Sequence, residues 1–301
     1  MQVSTKLFNK QSVENFSDLT AQIQKKQEQV ATGKHLTEPS DDPVKAGRVM
    51  VVKEQKAQTE QYLRNIDLSY VKLGLTDGAL DEVQNLLTRA YELGVQGATA
   101  TNANARPTLA TEMRGLLETI RDLSNATDAS GRSIFGGFKI GDPPFTLKAD
   151  GSTSYSGDRG VHTVTISPSL KLQTSIDGSS VFERVPAADG SGYNSVFSLM
   201  DSIISKLEAG SGDDLPIDDL KSAVAHISDQ RSVVGAQMNK ADNQRQVLEN
   251  RMQVLTENIG EMEDADLSKI VTDLQSLLVN KEIAQKTFAR ISQLSLFDMI
   301  A

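Results

Sequence analysis

The 301-residue sequence predicts a mainly α protein: long antiparallel helical rods, N- and C-terminal helices paired with each other, and a small β-rich inserted domain. Three observations carry this. An apolar heptad seam runs through Ile217, Leu220, Val224, Ile227, Arg231, Val234, Met238, Ala241, Arg245, Leu248, Met252, Leu255, Ile259 and Met262; twelve of these fourteen are apolar and no proline interrupts them. A matching seam lies in the first half, at Leu63, Ile66, Tyr70, Leu73, Leu80, Leu87 and Tyr91. Residues 131–195 hold ten of the 21 glycines and four of the eight prolines, so turns gather between two helical halves. Sustained 3–4 spacing specifies long helices packed side by side.

Taken in order, Phe16, Leu19, Ile23 and Val30 stripe a first helix that ends at Thr32-Gly33, glycine being a natural terminator. After a polar link, Asp42 and Pro43 restart a helix: the Asp side chain accepts from the first unpaired amides, and proline fits the first helical position. That helix is expected to run to about Gly97, with Gly74 and Gly78 serving a bend or a close helix contact. A third helix carries Leu109, Met113, Leu116, Ile120 and Leu123. In the glycine-rich window, Val161–Ile166 and Ser169–Leu172 read as strands parted by Pro168, and Asp177-Gly178 as a hairpin turn leading to a strand at Val181–Val185. Gly260 and the acidic run to Asp266 are expected to break the second rod. A last amphipathic helix follows, with Ile270, Val271, Leu274, Leu277, Leu278, Ala284, Phe288, Ile291 and Leu294. The expected domains are therefore residues 1–42 with 260–301 (terminal helices), 43–137 with 196–259 (rods) and 138–195 (insertion).

Composition narrows the function. A net charge of −9 without any basic run argues against nucleic acid as a partner. No apolar stretch approaches the length that spans a bilayer, and residues 1–8 lack the apolar core of a cleavable signal peptide, so no membrane partner is expected. The absence of cysteine removes disulfides, thiol nucleophiles and thiolate metal sites, and suits a chain exported unfolded. His35, His162 and His226 are isolated, with no carboxylate at metal-ligand spacing. Asp189–Asn194 and Gly212-Asp213-Asp214 are acidic loops without the spacing or closing Glu of a calcium loop. Nothing here predicts an enzyme, a metal or a cofactor.

The terminal stripes are the candidate functional residues. Short amphipathic helices are marginal alone in water, so Phe16, Leu19, Ile23, Val30, Leu274, Leu277, Leu278, Phe288, Ile291 and Leu294 are expected to gain stability by packing with other copies. Leu220, Val224, Ile227, Leu248, Met252, Leu255 and Ile259 form the rod seam. Leu255→Asp is expected to damage the rod, and Phe288→Asp to damage assembly.

Val30-Ala31-Thr32-Gly33-Lys34 followed by Pro39-Ser40-Asp41-Asp42-Pro43 resembles the N-terminal region of flagellin-type axial proteins, and Glu263–Ser268 resembles their C-terminal signature. Within that superfamily, Asn125–Phe138, Pro144-Phe145, Tyr155-Ser156-Gly157-Asp158 and Ser295-Leu296-Phe297-Asp298 are similar to segments of the hook-associated protein 3 family. The resemblance spans nearly the whole chain apart from residues 165–215; Lys34-His35-Leu36 departs from it, where a small polar or basic stretch is usual. It implies a structural adaptor of the bacterial flagellum, joining a layer of hook-associated protein 1 to the flagellin filament. It further implies self-association in an axial layer, export through the flagellar type III apparatus to an extracellular location, and a chaperone on the C-terminal helix. The alternatives are a short flagellin, a surface-binding module presented on a helical scaffold, and an enzyme on such a scaffold.

Overall fold

The structure, a computed structural model, describes residues 2–100, 105–139 and 141–300, and within them the side chains from Leu7 to Ile291. It is mainly α with a small β-rich insertion, as the sequence predicts. In order come α1 (Gln2–Thr32), α2 (Pro43–Thr99) and α3 (Ala105–Ser124), then β1 (Phe145–Leu147), β2 (Thr153–Tyr155), β3 (Thr163–Ser167) and β4 (Leu170–Gln173). A short α4 (Gly178–Phe182), β5 (Val185–Pro186) and β6 (Tyr193–Asn194) complete the insertion before α5 (Val196–Glu208), α6 (Ile217–Glu263) and α7 (Leu267–Ile300). The chain forms two compact units, residues 1–58 with 251–301 and residues 59–250, so the boundary falls inside α2 and inside α6.

In the larger unit α2 and α6 run antiparallel, because their cross-links rise on one helix as they fall on the other. Arg231 pairs with Asp77 (3.1 Å) and Asp81 (2.6 Å), and Arg245 with Asp67 (2.9 Å). The two arginines that interrupt the α6 seam thus meet acids of the same unit, and the Arg245 guanidinium also lies 5.3 Å from the Tyr70 ring centre. Between these pairs the seams do what their period demands: Ile66, Leu73, Leu80, Leu87, Leu220, Ile227, Val234 and Leu248 are buried in one core. α3 and α5 pack together on the same core through Met113, Ile120, Ile203 and Leu207. Gly74 and Gly78 have open space around them, contrary to the expectation of a close contact. The close approaches come later in α2, where a Cβ on Gly94 would lie 2.8 Å from Ile217 and one on Gly97 would lie 2.4 Å from Leu207.

Among the described residues the insertion comprises three two-stranded antiparallel sheets, β1–β2, β3–β4 and β5–β6. The β3–β4 hairpin lies close to the predicted strands, with an irregularity between Thr165 and Ser167. The Asp177-Gly178 turn is corrected: Asp177 instead caps α4, accepting from the Ser179 amide at 2.9 Å, and Val181-Phe182 are helical. Gly178 is needed for space, since a Cβ there would sit 2.5 Å from the Phe135 carbonyl oxygen. Around it Phe135, Phe145, Phe182 and Phe197 form a buried aromatic hub with ring centres 5.2–5.8 Å apart. The Asn125 side chain closes the hub like a short strand: its amide donates to the Phe145 carbonyl (2.8 Å) and its oxygen accepts from the Phe145 amide (2.9 Å). Tyr155 joins through its hydroxyl, which reaches the carbonyls of Asp158 (2.8 Å) and Phe135 (3.0 Å).

Candidate assembly interface

In the smaller unit α1 and α7 lie antiparallel against each other. Phe288 of α7 sits edge-on to Phe16 (5.7 Å between centres) and stacked near Phe8 (6.1 Å). Further along, Lys26 pairs with Asp273 at 2.9 Å and holds that carboxyl below its usual range. Ile23 is buried, whereas Phe16, Leu19, Val30, Leu274, Leu277 and Phe288 are half-buried. Leu278 and Ile291 are exposed, and the Leu294 side chain lies outside the described residues. On the rod seam Leu220, Ile227, Leu248 and Leu255 are buried; Val224, Met252 and Ile259 are half-buried. Leu255 belongs to the same unit as the terminal helices. Its substitution therefore does not contrast rod with terminal helix, whereas one at Ile227 does.

Sequence reasoning missed a second apolar face on α7. Val279 and Ile283 are 53% and 56% exposed, on the side opposite Ile270 and Phe288 at 100° per residue. They fall off the main stripe, so a single-stripe search passes over them.

The two helix breaks meet in this unit. Gly33 takes φ +68° and ends α1; its carbonyl accepts from the Ala265 amide (3.0 Å), and the His35 amide donates to the Glu263 carbonyl (2.7 Å). The two links thus form a short antiparallel ribbon. Gly260 does not break α6, which continues to Glu263; the break falls at Asp264–Asp266. Each link then re-enters a helix in one way: Asp42 accepts from the Lys45 amide (3.0 Å), Asp266 from the Lys269 amide (3.1 Å). The buried Glu263 carboxylate is held by Lys53 (2.5 Å) and Lys34 (3.0 Å). Burial opposes its charge, but the two ammonium groups outweigh that and keep its pKa below the usual range. In the other link Asp41 takes hydrogen bonds from Lys25 and from the Thr37 hydroxyl (3.2 Å), which lower its pKa from 3.8 to about 2.

The sequence's other polar candidates have local roles. The His162 ring contacts the Gly137 carbonyl and packs against Phe138, and His226 contacts the Ser180 carbonyl. Asp189 accepts from the Ser191 amide in its own turn. Among the described residues no group of three or more His, Cys, Asp or Glu is arranged to hold a metal ion, and no helix is long and apolar enough to cross a membrane.

Two halves of one family match this architecture: the bacterial flagellin N-terminal helical region over residues 3–139, and the bacterial flagellin C-terminal helical region over residues 217–300. Flagellar hook-associated protein 3 of Salmonella typhimurium is 25% identical over 318 aligned residues, covering 99% of both chains. This chain belongs to the flagellin family. A flagellin of Halalkalibacterium halodurans is a weaker likeness, 23% identical over 90% of this chain and 89% of its own. The crystal structure of the flagellar junction protein FlgL from Legionella pneumophila shares the fold, with a TM-score of 0.63 and 17% identity, over 71% of this chain and 99% of that one. As a hook-associated protein 3 relative, the chain is a structural component of the bacterial flagellum that acts in motility. The segments Asn125–Phe138, Pro144-Phe145 and Tyr155–Asp158, on which the resemblance rested, converge on the aromatic hub.

Proposed function

We propose that this chain forms the layer between hook-associated protein 1 and the first flagellin subunits, with the α1–α7 pair as its joining element. The supporting observation is that α7, already paired with α1 along one face, carries further apolar side chains outward at Val271, Leu278, Val279, Ile283 and Ile291. Apolar surface of this kind on a helix already packed on one side is stabilised by contact with other subunits. Phe16, Leu19, Ile23, Val30, Leu274, Leu277 and Phe288 then set the pair's geometry. The role is architectural, without catalysis, metal or cofactor. Passage through the flagellar type III apparatus in an unfolded state, with a chaperone on the C-terminal helix, completes the proposal.

A strain lacking this chain tests it. Intact hooks with secreted, unpolymerised flagellin are the expected result; filaments of normal length would reject the junction role. The second reading, a short flagellin, draws on the 23% likeness. It predicts filaments composed of this chain, so a filament containing only a distinct flagellin rules it out.

A further inference from the structure

The larger unit contains a small cavity that the junction role does not use. It lies between α2 and the insertion, has a volume of about 40 Å³, and is lined by Lys72, Leu75, Asp128, Arg132, Lys139 and His162 among others. Two cationic side chains, Lys72 and Arg132, share one carboxylate, while Lys139 lies within electrostatic reach of a second, Asp158. Lys72 and Arg132 both approach the same Asp128 oxygen at 3.7 Å, and Lys139 donates to the Ser156 carbonyl. Asp128 is moreover engaged by the Ser130 and Arg132 amides at 2.8 and 3.1 Å. Two cations on the one Asp128 carboxylate leave that side of the pocket with surplus positive charge, on a chain whose net charge is −9. Ser133 and Ser175 also line it; each hydroxyl accepts from a backbone amide and keeps its own hydrogen for donation. Positive charge, hydroxyl donors and space for a few heavy atoms fit one carboxylate group.

We propose that this pocket receives an aspartate from the Asp213-Asp214 turn of a second copy of this chain. That turn carries two adjacent exposed acids. The Asp214 side chain is fully exposed, its backbone takes φ 54°, and Lys206 meets its carboxylate only at 3.7 Å. Other acids at turns and helix breaks are committed: Glu263 to two lysines, Asp266 to the Lys269 amide, Asp150 to Ser152, Asp189 to Ser191. A molecule cannot fill its own pocket. Arg106 ties the turn to the far end of α2, donating to the Gly97 and Gly210 carbonyls at 3.1 and 2.6 Å. Gly97 is 21 residues along α2 from Thr76, which lines the pocket, a separation of roughly 30 Å at 1.5 Å per residue. The contact is therefore head to side between copies, a heterologous geometry that builds a ring where its rotation closes and an open helix where it does not.

Because the chain has no cysteine, the contact is testable by disulfide trapping in the full-length protein. Leu75→Cys copies, labelled at the pocket, are mixed with Ser211→Cys copies, labelled beside the turn, and oxidised. A mixed disulfide dimer is expected, with its yield reduced at least fivefold by Lys139→Gln with Arg132→Gln on the first partner, by Asp213→Asn with Asp214→Asn on the second, or by raised salt. Lys139→Gln alone, which leaves both Asp128 pairs in place, should reduce it in part, with melting curves confirming folded proteins. A yield insensitive to these changes, or no mixed dimer, overturns the proposal. Titration with sodium phosphate, followed by amide shifts at residues 128–139, distinguishes the other source of such an anion. Tight phosphate binding without a mixed dimer would mark the pocket as a small-oxyanion site and reject the second copy as its occupant.

Discussion

At the scale of single residues, polar side chains at the joints bear more than their size suggests. The Tyr155 hydroxyl serves the carbonyls of Phe135 and Asp158 within the aromatic hub, and burial together with Asp177 raises its pKa, so it remains a donor at all ordinary pH. Tyr155→Phe keeps the ring but removes the hydroxyl from the Asp158 carbonyl and leaves the Phe135 carbonyl with the Gly178 amide alone. It should cost about 1–2 kcal/mol, read from the denaturant midpoint. Asp41 and Glu263 give a pH signature. Both have folded-state pKa values below their ordinary ones, so both contributions are present above the ordinary carboxylate pKa and fade in acid, that of Asp41 as pH falls towards about 2. The melting-temperature gap between the native chain and Asp41→Asn should be constant from pH 6 to 8 and close as the pH drops from about 4 to 2. A gap that widened in acid would contradict the clamp. Neither clamp was legible in the sequence, because the lysines that meet Glu263 come from α2 and from the first link, some 200 residues away.

At the scale of elements, a glycine's meaning depends on what stands beside it. Gly74 is helical and meets open space, so Gly74→Ala should stabilise by roughly 0.5–1 kcal/mol through helix propensity alone. Gly97 faces Leu207 of α5, so Gly97→Val should overpack that contact and destabilise by about 1–3 kcal/mol. Thermal melts of the two variants should therefore move in opposite directions. Of the two roles offered for Gly74 and Gly78, a bend or a close contact, the contact falls elsewhere, because period and propensity report a helix's own preference, not which part of it another element approaches. The same blindness explains Asp177-Gly178. The pair is a common hairpin signal, but Gly178 serves the space under the Phe135 carbonyl while Asp177 starts a helix. Long helices were legible to within a few residues because dozens of positions vote on their period. Two- and three-residue strands such as β5–β6 and β1–β2 have too few positions to vote.

At the scale of the molecule, rod and terminal pair respond to different insults. Ile227 is fully buried in the larger unit, and Ile227→Asp should cost several kcal/mol and depress the melt of the whole protein. Phe288→Asp touches only the edge of the terminal pair, so it should shift the melt less while abolishing filament growth on isolated hooks. Equal thermal damage from both would refute that division. Removing residues 274–301 should likewise leave residues 59–250 folded by circular dichroism while motility is lost. The mainly α plan, the order of elements and the pairing of the ends were all readable from two seams and a glycine-rich window. The outward face of α7 was not, because Val279 and Ile283 look like ordinary exceptions until their partner face is seen to be occupied.

The ribbon between the two links also has a consequence in time. Its hydrogen bonds join Gly33 to Ala265 and His35 to Glu263, pairing residues from nearly opposite ends of the chain. Contacts of such sequence separation close late, since the loop between them must first be ordered. Wherever the chain emerges one end first, during synthesis included, the earlier terminal helix waits without its partner until the last segment arrives. A truncated copy therefore never completes the terminal pair. Completion of the joining element is itself a report that the whole chain has been delivered.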